Sequence, residues 1–283
     1  MPQGCEQIKR PSGTELSVIR LGVVSYLNTR PIIRGLEARE DIELRQAVPS
    51  QLLDQVVDGK VEVGMCSSID YLRSPIPLKL LRVAPLTCNG ETLTVRIFSS
   101  VPIEEITRIH CDTDSHTSVA LLSILMKEAW GIDSEIIDFD ASVRSEPWPD
   151  TVMLIGDKVV NGPPSSETHP VQIDLGEVWK QLTGLPFVFA LWMTRSDACE
   201  TMLAHVFHSL RDNLDRNLRS IEEFIEEEAR LHDWPLDLAS RYLNGLIRYE
   251  LGPSELAGLK KFHELAVKHG LVDAGRPLEL YEG

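Results

Sequence analysis

Three clusters of hydroxyl and amide side chains follow directly on apolar runs of this chain. Asn28 and Thr29 come after "VIRLGVVSY" (18–26), Ser67 and Ser68 end the run "VEVGMC" (61–66), and Ser115, Thr117 and Ser118, with His116 among them, follow "ITRIHCD" (106–112). Each run reads as a strand and each sequel as a helix start, so the polar groups fall at the carboxyl ends of strands, where open α/β sheets hold ligands. A helix N-terminus favours an anion by ~0.3–1 kcal/mol when exposed and up to ~2 when partly buried, and a charge-assisted hydrogen bond adds ~1.5–3. Two such ends on opposite walls can hold a dianion without arginines. Pro31 suits the first turn of a helix, with Asn28 or Thr29 as its cap.

The order of elements supports that placement. After the first strand, "IIRGLEAR" reads as a helix behind Pro31, "IELRQAV" as a strand, "PSQLLDQVVDGK" as a helix, "VEVGMC" as a strand and "SSIDYL" as a helix start. This is a parallel α/β unit. A second one runs through "ITRIHCD", the helix "TDSHTSVALLSILMKEAWG", and the strands "SEIIDFD" and "TVMLIGD", which ends at Asp157. Two extended segments, "LTVRIFSS" (93–100) and "LPFVFALWM" (185–193), link the units. The expected architecture is α/β with two lobes around a cleft, residues 18–95 plus 190–283 forming one lobe and 96–189 the other. The helical stretch after 193 should pack on the first lobe.

Composition narrows the partners. The 283 residues carry 28 basic and 43 acidic side chains, a formal charge of −15, which disfavours nucleic acid and anionic membranes. No run approaches the ~18 apolar residues of a membrane span, and the first twenty residues lack the apolar centre of a secretory signal, so a cytoplasmic location is expected. Five scattered cysteines with no C-x-x-C pair suggest free thiols. His205 and His208 lie three apart on a helix without a third ligand, so no metal is expected. Glu222, Glu223, Glu226, Glu227 and Glu228 read as a solvated helix face.

The motifs together resemble one family, the chorismate dehydratases of the futalosine route to menaquinone (MqnA type). The likeness covers about 18–195 and rests on "SYLNTRP" (25–31), "DGKVEVGMCSSIDYL" (58–72), "DTDSHTS" (112–118), "LIGD" (154–157) and "DLGEVWKQLTGLPFVFALW" (174–192). It implies a fold like that of type II periplasmic binding proteins, a small dicarboxylate substrate and no cofactor. It also implies a reaction: chorismate loses water to give 3-[(1-carboxyvinyl)oxy]benzoate. Asn28 and Thr94 are then the expected catalytic residues, with the Asn28 amide donating to the substrate. Thr29, Ser67, Ser68, Ser115, His116, Thr117, Ser118 and Asp157 are the expected substrate-binding set. Thr94 stands where the family more often has serine, and His116 where arginine is common, which weakens a charged anchor at that place. One of the rings of Phe187, Phe189 and Trp192 could line the substrate ring.

No dedicated base is evident. Orientation can supply ~7–11 kcal/mol of a barrier against ~3–5 from a positioned base. The resemblance therefore suggests an E1cB-like elimination with the substrate's own enolpyruvyl carboxylate as base. Two other readings remain open at this point. One is the sister 1,4-dihydroxy-6-naphthoate synthase, which would place a histidine in its cleft; the other is a non-catalytic binding protein for a small anion.

Overall fold

The structure, a computed structural model, describes residues 18–141 and 147–283; Cys5 and the other residues before 18 lie outside them. Strands β1 (Ile19–Val23), β2 (Ile42–Gln46) and β3 (Val63–Ser67) alternate with helices α1 (Arg30–Ile33), α2 (Pro49–Val57) and α3 (Asp70–Arg73). The helix expected behind Pro31 is only one turn long. Gly35 stops it by adopting φ +90°, a left-handed conformation that costs glycine little. Strand β4 (Leu78–Cys88) was not foreseen, because prolines interrupt its sequence; it accommodates them with a bulge in which Ala84 takes φ +43°.

The chain then crosses into β5 (Val95–Ser99), β6 (Arg108–Asp112), α4 (His116–Trp130), β7 (Glu135–Phe139), β8 (Thr151–Ile155), β9 (Val171–Asp174) and α5 (Leu175–Thr183). It returns through β10 (Phe187–Arg195) to helices α6 (Glu200–Arg219), α7 (Ile221–Leu231), α8 (Leu236–Arg241) and α9 (Pro253–Lys268), and ends in β11 (Leu280–Tyr281). One sheet has the order β11-β4-β10-β3-β1-β2 and the other β7-β6-β8-β5-β9. Each sheet contains one reversed strand, β10 and β5 respectively, and these are the strands that the two crossings feed. All other pairings are parallel.

The crossings are clamped to each other. Asp174 caps α5 by accepting from the Glu177 N–H (3.1 Å), and its carboxylate also accepts from the N–H groups of Thr92 (3.0 Å) and Leu93 (2.7 Å). A side chain at Gly176 would come within 2.6 Å of the Gly90 carbonyl oxygen, so glycine allows the two segments to touch. This clamp sets the position of Thr94, immediately beyond it.

Candidate active site

Asn28 sits in a 3₁₀ turn (Leu27–Thr29) between β1 and α1. Neither Asn28 nor Thr29 caps α1 through its side chain, contrary to expectation. Thr29 is buried and its hydroxyl turns back, 2.9 Å from both the Val24 and Tyr26 carbonyl oxygens, so it shapes the turn and does not line the cleft. Asn28 does line the cleft. Its backbone carbonyl accepts from the Tyr249 hydroxyl (2.9 Å), and its side-chain carbonyl Oδ1 is buried without a partner.

The end of β3 departs further from the reading of a helix N-terminus. Helix α3 is one turn long, too short for a significant dipole, and begins with the fully buried Asp70. Burial pushes the Asp70 carboxyl above its usual range, and His116 Nδ1–H donates to its Oδ1 (2.8 Å). His116 is therefore engaged with a carboxylate of the protein and is not a free anchor for a ligand. Ser68 donates to the Val188 carbonyl (2.7 Å), and Thr117 Oγ1 accepts from the Ile69 N–H (3.2 Å), so both are tied into the junction between the lobes. Ser67 remains. Its hydroxyl is buried, lines the cleft and has no partner.

Behind this wall, the buried His263 of α9 donates through Nε2 to the Ser68 carbonyl (3.2 Å), and burial lowers its imidazole to about 4. A folded value below the ordinary 6.5 means that stability from the neutral ring is complete above pH 6.5 and is lost as pH falls toward 4. That loss is on the order of 3 kcal/mol at about 1.4 kcal/mol per unit. Urea unfolding should therefore show a steeper decline of stability between pH 6.5 and 4 for the wild type than for His263→Gln, which keeps a donor but does not titrate. Equal slopes would eliminate His263 as the source.

The second lobe contributes Ser115 and Ser118. Ser115 caps the 15-residue α4, accepting from the Ser118 N–H (3.3 Å) and the Ser118 hydroxyl (3.1 Å), which leaves the Ser115 proton to be donated into the cleft. Here the dipole argument holds, since α4 is long enough to carry one. Thr94 is buried, 3.0 Å from the Tyr242 hydroxyl. Phe189 supplies an apolar surface, whereas Phe187 and Trp192 belong to the core. Asn28, Ser67, Thr94, Ser115 and Ser118 line one cavity of about 50 Å³ together with Tyr26, Phe189 and Tyr242, and no charged side chain or histidine lines it among the described residues.

Asp157 lies outside that lining. Its carboxylate accepts from the Leu27 N–H (3.2 Å) and from His232 Nδ1–H (2.8 Å), joining the second lobe to the turn that carries Asn28 and to α7. Tyr26 closes the same edge: its hydroxyl donates to Asp114 Oδ2 (3.1 Å), and a side chain at Gly156 (φ +62°) would meet its ring at 3.1 Å. Tyr26, Thr92 and Tyr242 are polar cleft residues that sequence reasoning missed. Nothing local marks these hydroxyls as directed at a ligand site.

No described helix is long and apolar enough to cross a membrane. His205, considered above as a metal ligand, has Nε2 2.7 Å from Asp41 Oδ2. Cys88 and Cys111 are buried thiols, which desolvation pushes up to about 12.

Comparisons with known proteins agree with this geometry. A family model described as menaquinone biosynthesis matches residues 19–268. A chorismate dehydratase of Thermus thermophilus is 32% identical over 259 residues, covering 86% of this chain and 93% of that protein. Among solved structures, the alkanesulfonate-binding protein of Xanthomonas axonopodis pv. citri, bound to MOPS, superposes with a TM-score of 0.69 at 15% identity, over 96% of this chain and 100% of that one. The periplasmic aliphatic sulphonate binding protein of Escherichia coli gives 0.63 at 13% identity, over 91% and 94%. At these identities the structural likeness concerns the fold alone, which is that of the periplasmic binding proteins.

Proposed function

The chain belongs to the menaquinone-biosynthesis family, and from that membership we propose that it converts chorismate to 3-[(1-carboxyvinyl)oxy]benzoate and water. The single observation that carries the site assignment is a pair of buried, unpaired groups on one cavity, the Asn28 carbonyl oxygen and the Ser67 hydroxyl. Leaving a buried polar group unsatisfied costs about 1–3 kcal/mol, so a ligand bearing both a donor and an acceptor recovers that cost on binding. Chorismate offers a ring hydroxyl to the former and carboxylates to the latter.

In this reading Ser115, Ser118 and the first N–H groups of α4 take a carboxylate, Phe189 packs on the ring, and Asn28 accepts from the C4 hydroxyl. The enolpyruvyl carboxylate removes the C3 proton, the electron pair moves into the ring, and the C4–O bond breaks. The departing hydroxide takes up the proton that the enolpyruvyl carboxyl gained, leaving as water and restoring that carboxylate, and the ring becomes aromatic. With no carboxylate, histidine, lysine or arginine lining the cavity among the described residues, the residues supply orientation and hydrogen bonds while the substrate supplies the base. The enzyme is then a carbon–oxygen lyase of the futalosine route, cytoplasmic and working without a cofactor. Its two lobes, divided near residues 95 and 190, act as the jaws of the cleft.

The absence of a histidine from the lining favours this reaction over that of the naphthoate synthase, among the described residues. Incubation with chorismate, followed by mass spectrometry, should reveal a product lighter by one water and with a benzoate absorption spectrum. Binding of chorismate without that product would leave a carrier in place of an enzyme.

A further inference from the structure

Ser67 and Ser115 reach the cavity from two different sheets, so contacts between the sheets must fix the distance between them. Ser67 ends β3 of the first sheet, and Ser115 stands just before α4, beyond β6 of the second. The residues that follow each of them bond to one another. Ser68 Oγ lies 3.3 Å from Thr117 Oγ1, the Ile69 N–H donates to Thr117 Oγ1 (3.2 Å), and Asp70 Oδ1 lies 2.8 Å from His116 Nδ1. Residues 68–70 and 116–117 thus form one seam, which begins a single position after each hydroxyl.

We propose that Asp70 and His116 are positioning residues: their contact closes the end of this seam and keeps Ser115 and the first turn of α4 at the spacing from Ser67 that a dicarboxylate needs. This rests on the reading of the site as a chorismate dehydratase. Asp70 is fully buried, and His116 is the one side chain hydrogen-bonded to its carboxyl among the described residues; the other oxygen, Oδ2, is buried without a partner. A buried carboxyl with a single partner holds that partner firmly, because no water is at hand to replace it. One proton between Nδ1 and Oδ1 suffices for the bond, whichever of the two atoms carries it. The His116 side chain is 37% exposed, so the ring runs from the carboxyl out to solvent and leaves the cavity lining to Ser115 and Ser118.

The other two contacts of the seam lie in the core, Ser68 and Thr117 both being fully buried, and do not involve the imidazole. The pair therefore sets alignment while the buried contacts hold the sheets together. Its effect falls on binding. In the proposed reading Ser115, Ser118 and α4 hold a carboxylate both before and during the elimination, so a displaced α4 weakens the ground state and the transition state alike.

Steady-state kinetics on chorismate test the assignment. His116→Ala should raise KM about 10- to 100-fold, the scale of a displacement on the order of 1 Å at a site, with kcat within about threefold of the wild type. His116→Asn places an amide group where Nδ1 stood and should return KM to within about threefold of the wild type. Asp70→Ala and the double variant Asp70→Ala/His116→Ala should raise KM as His116→Ala does, and by no more, because the two side chains act through one contact. Should His116→Ala fail to fold with the Asp70 carboxyl left unpaired, the double variant, which buries no carboxyl there, carries the same test. Wild-type KM in these alanine variants, a loss confined to kcat, no recovery in His116→Asn, or effects that multiply in the double variant would each overturn the positioning role. If one of these is seen while the wild type forms product, the function stands without the pair. A wild type that forms no product overturns both.

Discussion

Asn28→Ala is expected to lower kcat for chorismate by about 10²- to 10³-fold, the range seen when a single preorganised hydrogen-bonding group is removed from an active site. The side chain holds the unpaired acceptor of the cavity, and no neighbour can replace it, since Ser67 and Ser115 occupy other walls. The fold should survive. The backbone carbonyl that Tyr249 grips is unchanged by the substitution. Circular dichroism should therefore match the wild type while stopped assays detect little benzoate. A variant with wild-type kcat would remove Asn28 from the site.

The largest expected effect on stability is that of Glu228→Ala, at about 3–5 kcal/mol, the usual cost of removing one partner of a buried ion pair. Glu228 is fully buried, and its carboxylate receives Arg30 Nε (2.8 Å) and Arg34 Nη1 (2.6 Å), with His232 Nε2 at 3.8 Å. Alanine would leave the Arg30 guanidinium, whose side chain is only 17% exposed, with the Glu37 carboxylate (3.2 Å) alone. It would also loosen α7 from the residues just after Asn28, so a loss of activity at temperatures where the variant is still folded should accompany the drop. Urea unfolding at neutral pH measures the first effect. A change below about 1 kcal/mol would place the pair among those that contribute little.

Glu228 also shows how far the sequence could be read. Counted by charge, it belongs to a run of five acids and suggests a wet helix face; four of them are indeed exposed. Counted by period, it falls with Ile221, Phe224, Ile225 and Ala229 on the buried stripe of α7, at spacings of three and four. The periodic signal was the stronger and the charge run concealed it. Strand–helix alternation revealed both sheets because buried parallel strands write themselves as continuous apolar runs. Strand β4 escaped, since Pro77 and Pro85 break that pattern and only pairing with β10 makes it a strand.

The site was legible where it depends on local order. Asn28, Ser67, Thr94, Ser115 and Ser118 follow strands or crossings and reach one cavity, as their positions in the chain suggest. Ser68, Thr117, His116 and Asp157 carry the same local signal, yet their side chains bond to other parts of the protein. A hydroxyl at a strand end has two uses, and tertiary contacts alone decide between them. Tyr242 had no local signal at all, being 148 positions from the threonine it bonds.

That separation has a bearing on biosynthesis. The ribosome delivers the strands of both sheets, save the two-residue β11, before it delivers Tyr242 and Tyr249. A nascent chain can thus assemble two jaws before Asn28 acquires the restraint that Tyr249 places on its carbonyl. The rigid form of the turn that carries Asn28 therefore waits for a segment made after both jaws.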